Sequence, residues 1–268
     1  MVKDMSNNST IKDKINNPKN PKKEIANSLL KTFEEKAKSL GIESIGYAKL
    51  PEDIFNSFKT LKYPNAIVFT IPINIPEDDS SKYVSKDQTS IDVSKDDFSL
   101  AEYLENVPPS DKAIELLDEY FGFGDLTHGL SDFLRKKGFA THVLHPAEEV
   151  LNLSILGQIA GLGYIGKNGL LISPELGPRL KVSGILTSIE NLPFSEKNPH
   201  KWIGDYCKTC DKCIEGCLER ALVEREDYSA KGKSFVEKCL IGSHKGCTSC
   251  IELCPFFENG YDWVKENK

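Results

Sequence analysis

The sequence predicts an α+β protein: a mixed α/β region over roughly residues 24–195, then a small cysteine-bound module over 196–268. Three observations predict it. Helical and strand periodicities alternate through the first part of the chain. All eight cysteines fall between Cys207 and Cys254. A length of 268 residues, 39% of them apolar and 28% charged, suffices for one or two hydrophobic cores.

The elements follow in order. Residues 1–23, mostly Lys, Asn, Ser and Pro, read as a disordered, solvated tail with neither an export signal's apolar segment nor an anchor. Ile25, Leu29, Leu30, Phe33, Ala37 and Leu40 recur at helical spacing, and Gly41 stands where a helix would be capped. Ser44–Ala48 and Ala66–Ile73 are strand-like, the second rich in β-formers between Pro64 and Pro72. From Pro76 to Lys112 the chain is polar and without period, a lid or a solvated insertion. Helical patterns run from Asp111 and up to Lys137, with a break expected at Phe121-Gly122-Phe123-Gly124. Ala140–Leu144 is strand-like, Glu148–Ile159 helical, and Arg179–Thr187 a further strand.

Between them, Gly161, Gly163 and Gly166 match the spacing G-x-G-x-x-G. A dinucleotide loop must follow a strand and open a helix, whereas here a helix pattern precedes and Leu170–Ser173 reads as a strand stopped by Pro174. A Rossmann reading is therefore rejected. What remains is a glycine-rich turn, suited to close packing or to backbone contact with a ligand, with Lys167 beside it.

The formal net charge of −6 argues against a dominant nucleic-acid surface. The longest uncharged stretch, Val150–Gly166, is shorter than the ~20 residues of a spanning helix. A cytoplasmic location is expected, where thiols stay reduced and clustered cysteines mean metal before disulfide.

Cys207, Cys210, Cys213 and Cys217 form C-x2-C-x2-C-x3-C; Cys239, Cys247, Cys250 and Cys254 form C-x7-C-x2-C-x3-C, followed by Pro255. Three thiolates spaced closely wrap one iron–sulfur cube, while the fourth points to a neighbouring one. The spacing therefore predicts a crosswise assignment: Cys207, Cys210, Cys213 and Cys254 on one 4Fe–4S cluster, Cys239, Cys247, Cys250 and Cys217 on a second. This duplication is the pattern of a ferredoxin-like module. Gly242 and Gly246 ease the longer loop after Cys239. Paired structural zinc sites are the alternative, although zinc knuckles need no third closely spaced cysteine.

The stretch from Ala160 through Gly-Leu-Gly-Tyr-Ile-Gly-Lys-Asn-Gly to Gly177-Pro-Arg179, then Gly184-Ile-Leu-Thr187, resembles the motif shared by epoxyqueuosine reductases and reductive dehalogenases, as do the cysteine runs. The likeness spans roughly residues 25–260. It implies a nitroreductase-like α/β domain holding cobalamin, followed by the two-cluster ferredoxin-like domain. It also implies electron flow through the clusters to the corrin and reductive cleavage of a carbon–oxygen or carbon–halogen bond. Gly161, Gly163, Tyr164, Gly166, Lys167, Asn168 and Arg179 then become the expected cofactor-binding residues. His145-Pro-Ala-Glu-Glu149 lacks the Asp of the V-D-x-x-P segment of epoxyqueuosine reductases, and Gly177-Pro-Arg179 is nearer the dehalogenase branch.

Dehalogenases place a proton-donating Tyr ahead of a Leu-x-x-Phe-Leu-Arg helix, and Leu130–Arg135 carries that pattern. Tyr120 is the corresponding candidate, with His128 nearby and Lys167 as a further catalytic residue. A phenol of ordinary pKa near 10 needs a cationic neighbour, for which Lys167 or Arg179 is available. Tyr120 is equally suited to be a core aromatic beside Phe121 and Phe123. His142, His200 and His244 read as surface or loop residues; Trp202 and Trp263 read as packing for the cysteine module. A small cytosolic enzyme is expected, served by a soluble low-potential electron donor and acting on a small organic or nucleoside substrate. A ferredoxin-like electron carrier without cobalamin, or a zinc-stabilised structural protein, would share parts of this pattern.

Overall fold

The structure, a computed structural model, describes residues 14–57, 61–75, 99–144, 152–224 and 233–268. At its centre is an antiparallel sheet in the order β1–β2–β6–β3, made of Ser44–Lys49 (β1), Asn65–Pro72 (β2), Thr141–Leu144 (β3) and Leu180–Thr187 (β6). In register, Ile67 of β2 faces Ile185 of β6, and Val143 of β3 faces the same Ile185 from the other side.

Alternation along the strands sorts side chains onto two covered faces. Ile67, Phe69, Val143 and Ile185 point to one, where they meet Phe33 and Ala37 of helix α1 (Asn27–Ser39). Phe123, Leu130 and Leu134 of helix α4 (Asp111–Lys136) join them there. Ala66, Val68, Val182 and Leu186 point to the other, under Leu156 and Leu171. Every residue of β6 is buried, as a strand covered on both faces must be. Shorter helices α2 (Glu52–Ser57) and α3 (Leu100–Asn106) lie between these elements.

The predicted α1 and its Gly41 stop are observed, Gly41 having φ +90°. The predicted break at Phe121–Gly124 is not: α4 runs unbroken for 26 residues. Its Ser110 cap accepts the Ala113 N–H at 3.1 Å, and Phe123, Thr127, Leu130 and Leu134 are all buried. Burial along one face outweighs the roughly 1 kcal/mol each helical glycine costs. The described part of the expected disordered, solvated tail is largely exposed yet attached. Asp132 accepts the Lys14 and Ile15 N–H groups at 3.0 and 2.9 Å, and Asn17 brackets the backbone of Thr141 on edge strand β3. Composition reports the side chains, and here backbone groups make the attachment. Of the polar stretch 76–112, residues 76–98 lie outside the described residues, and its end forms α3 and the start of α4.

After β3, helix α5 (Leu153–Ile159) leads into a two-stranded hairpin, Tyr164–Ile165 (β4) with Leu171–Ile172 (β5). The beginning of the helix expected from Glu148 is outside the described residues. The C-terminal part is helical: α6 (Trp202–Thr209), α7 (Lys212–Glu215), α8 (Lys233–His244), α9 (Ser249–Glu252), α10 (Pro255–Glu258) and α11 (Tyr261–Glu266). Its small core joins Ile203, Cys207, Cys254, Phe256 and Val264 to Ile172 of the hairpin. Trp202 packs there against Phe256 and Tyr261, whereas Trp263, 51% exposed, does not serve as packing. Among the described residues no helix is long and apolar enough to cross a membrane.

Candidate functional site

The two cysteine runs fold alike. Cys207 lies in α6, Cys210 follows it in extended backbone, and Cys213 sits in the single turn of α7. In the second run Cys239 is carried by α8, Cys250 by the single turn of α9, and Cys254 stands just before Pro255 at the start of α10. Between them Gly246, at φ +79°, turns the chain toward Cys247. A Cβ at Gly246 would meet Ser110 and Lys112 at 2.9 Å, so this turn is pressed against the start of α4. His244 reinforces the contact through Val107 O, and so is more than a loop residue.

Cys207, Cys210, Cys213 and Cys254 line one cavity of about 290 Å³, its open mouth included. The last cysteine of the second run thus joins the first three of the first. Lys167, Asn168, Ile172, Tyr206, Pro255 and Phe256 complete the wall. Burial, foremost, pushes the Cys207 and Cys213 thiols up to about 11 and Cys254 to about 12. Cys250 is also raised, by burial and then by the neighbouring Cys239 and Cys247. None of the eight is joined in a disulfide. Among the described residues no three Cys, His, Asp or Glu side chains converge as ligands of a single ion. Thiols set around a cavity suit a bulky polynuclear centre, and their high proton affinity in its absence is what several charges of iron would overcome.

The glycines of the motif permit close packing. A Cβ on Gly163 would sit 2.2 Å from Ile172 O, and one on Gly166 2.5 Å from Ile172 Cδ1. Gly161, at φ +73°, faces Ser195, and Tyr164 lies against Gly204 of α6. These four residues, expected as cofactor contacts, hold the hairpin against its surroundings. The next two residues reach the cysteine loops. Lys167, 2% exposed, places Nζ 2.7 Å from Asp211 and 2.7 Å from Glu224 and donates to Lys208 O at 3.2 Å. Asn168 donates to Cys250 O at 3.2 Å. Arg179 stacks over Phe257 at 5.5 Å. His200, expected as a surface or loop residue, contacts Tyr261 Oη at 2.8 Å, an oxygen that Trp202 also reaches.

Tyr120 does have a cation, though neither of those expected. Lys181, on β6 and 3% exposed, sets Nζ 5.4 Å from the Tyr120 ring centre and 2.6 Å from Glu119 Oε2. Alternation brings it there: Lys181, Ser183 and Ile185 share the face that meets α4, and Ser183 Oγ accepts from Thr127 Oγ1 at 3.0 Å. Burial, then the Glu119 charge, holds the Tyr120 phenol above its usual range. His128 lies two turns along α4, about 12 Å from Tyr120 by helical rise, so the two share no immediate contact. The sequence reading missed Lys181 because a lysine inside an apolar strand carries no local motif. The one available signal was that charge in an otherwise buried run. His145–Glu149 lies outside the described residues.

No family model matches the chain. A tetrachloroethene reductive dehalogenase of Desulfitobacterium hafniense is 25% identical over 279 aligned positions, 87% of this chain and 48% of the relative. An epoxyqueuosine reductase of Gloeobacter violaceus is 32% identical over 126 positions, 40% of this chain and 36% of the relative. The chain thus spans about half the length of the dehalogenases it matches. The solved reductive dehalogenase NpRdhA has the same fold at TM-score 0.64 and 17% identity, over 93% of this chain and 35% of that one. An epoxyqueuosine reductase solved with an epoxyqueuosine-modified tRNA stem loop gives 0.54 at 20%, over 87% and 66%. The homologues of this α+β chain are reductive dehalogenases and epoxyqueuosine reductases.

Proposed function

We propose that the chain is an iron–sulfur oxidoreductase that reductively cleaves a carbon–halogen or carbon–oxygen bond of a small organic or nucleoside substrate. The observation that carries the proposal is the meeting of Cys254 with Cys207, Cys210 and Cys213 around one cavity. That crosswise arrangement is what a two-cluster ferredoxin-like domain requires, here behind a nitroreductase-like α/β domain. Cys217, Cys239, Cys247 and Cys250 are then the ligands of the second 4Fe–4S cluster. Electrons from a soluble low-potential donor would pass singly through the pair.

Breaking a carbon–halogen bond takes two electrons and one proton and releases halide. Tyr120 is the proposed proton donor. Its raised pKa keeps Oη protonated at neutral pH, and the Lys181 ammonium beside the ring stabilises the phenolate once the proton leaves. Glu119 fixes Lys181 through the 2.6 Å ion pair. His128 and Lys167 are given no catalytic role: one is too far along α4, the other is enclosed by carboxylates.

Cobalamin belongs to the proposal through likeness to the relatives, one of whose structures concerns B12-dependent dehalogenation. When bound it would supply the strongly reducing centre for bond cleavage. The glycines of the motif are pressed close to Ile172 and Ser195, and the roles of Tyr120, Lys181 and the cysteines do not depend on cobalamin. An acidic net charge does not by itself exclude RNA, since a protein of this fold is solved with a tRNA stem loop.

The test is iron, sulfide and corrinoid analysis of protein made without oxygen and with cobalamin supplied. About eight irons per chain with retained corrin is the expected result. Zinc without iron overturns the redox reading. Iron without retained corrin overturns the corrinoid part and leaves an electron carrier.

A further inference from the structure

Lys167 is the most deeply enclosed ammonium beside the cysteine cavity, and nothing in the proposed proton chemistry uses it. Its Nζ is held by Asp211, which lies between the ligands Cys210 and Cys213, and by Glu224. Both carboxylates face water, at 53% and 63% exposure, whereas Lys167 is 2% exposed. Water screens the anions far more than it screens the cation. The net field reaching the cavity is therefore positive. The backbone N–H of the same residue also faces the Cys207 sulfur and favours its charged form. A fixed positive charge and an N–H donor at a ligand sulfur both favour the more negative, reduced state of an iron–sulfur centre.

Resting on the two-cluster reading above, we propose that Lys167 is a positioning residue that raises the reduction potential of the cluster held by Cys207, Cys210, Cys213 and Cys254 relative to its neighbour. The difference gives electron flow a direction, since the first cluster accepts what the second releases. Lys167 touches neither substrate nor the iron; it acts through the field and through Cys207. The neighbouring Asn168 grips the carbonyl of Cys250 in the other run, which keeps this ammonium registered against both loops.

The experiment is a potentiometric titration followed by electron paramagnetic resonance on the full chain, reconstituted without oxygen, with iron counted in each sample. Wild-type protein that carries no iron overturns the cluster reading itself. With clusters present, Lys167→Met is expected to shift one midpoint downward while the other stays. The shift should approach tenfold in the reduction equilibrium, 59 mV for one electron. Lys167→Arg, which keeps the charge, should return that midpoint toward wild type. Two unchanged midpoints in Lys167→Met overturn the proposal. If Lys167→Met sheds iron, Lys167→Gln decides, since it keeps a hydrogen-bonding head without the charge: the same midpoint alone should fall, and no movement overturns the proposal.

Discussion

Tyr120 and Lys181 sit on different elements and meet only because the register of β6 turns Lys181 toward α4. Replacing Tyr120 by Phe removes one hydroxyl and should lower turnover by about 10²- to 10⁴-fold, the usual worth of a positioned acid. Iron content and midpoints should stay as in wild type. Equal turnover in steady-state assays would remove Tyr120 from the reaction. The pH dependence follows from the direction of its shift. A phenol raised above its ordinary value of 10 stays protonated throughout pH 7–9.5, so no alkaline loss traceable to Tyr120 is expected there. In Lys181→Met the conjugate phenolate loses its cation, and kcat should fall while KM holds. At this scale the cysteines were legible and the lysine was not. Ligand spacing is a local property of the chain, readable within a dozen residues. The Tyr120–Lys181 pair is made by strand register, which no short window contains.

Among the elements, α4 and the β4–β5 hairpin teach opposite lessons about glycine. Gly122 lies in the interior of α4 with nothing within 4 Å of where a Cβ would stand. Gly122→Ala should therefore stabilise the protein by about 0.5–1 kcal/mol, read as a higher denaturant midpoint with an unchanged slope. Gly163 has the reverse setting. A methyl there would strike Ile172 O at 2.2 Å. Gly163→Ala should cost on the order of 1–3 kcal/mol. It should also loosen the hold of Lys167 and Asn168 on the cysteine loops, visible as faster amide exchange in α6 and α9. The sequence showed that glycines were concentrated here and that a helix preceded them. It gave no sign that the approach they permit is between two strands of the same hairpin, because Ile172 looks like any other strand residue.

For the molecule as a whole, apolar periodicity located most of the sheet, since the runs expected at Ala66–Ile73 and Arg179–Thr187 fall on the largely buried strands β2 and β6. The attachment of residues 14–23 was invisible to composition because most of its bonds are made by backbone N–H and C=O groups, joined by the Asn17 side chain. The architecture also separates two levels of stability. The sheet has a substantial core on each face, whereas the C-terminal core is a handful of residues, two of them Cys207 and Cys254. Stripping iron with a chelator should therefore melt the helices after residue 201 first and leave the sheet folded. Two resolved thermal transitions are expected in the stripped protein, against a merged one in the loaded form. A single unchanged transition in both would mean that the metal contributes nothing to the fold.

The crossing of Cys254 to the first run has a consequence for how such a protein is made. If two clusters are held crosswise as proposed, neither has a complete set of anchors until both halves of the module have come together, so half-built molecules have little to hold. When iron is scarce, a population should then divide into fully furnished chains and bare ones, with few carrying a single cube. Maturation would behave as a binary commitment made once per chain.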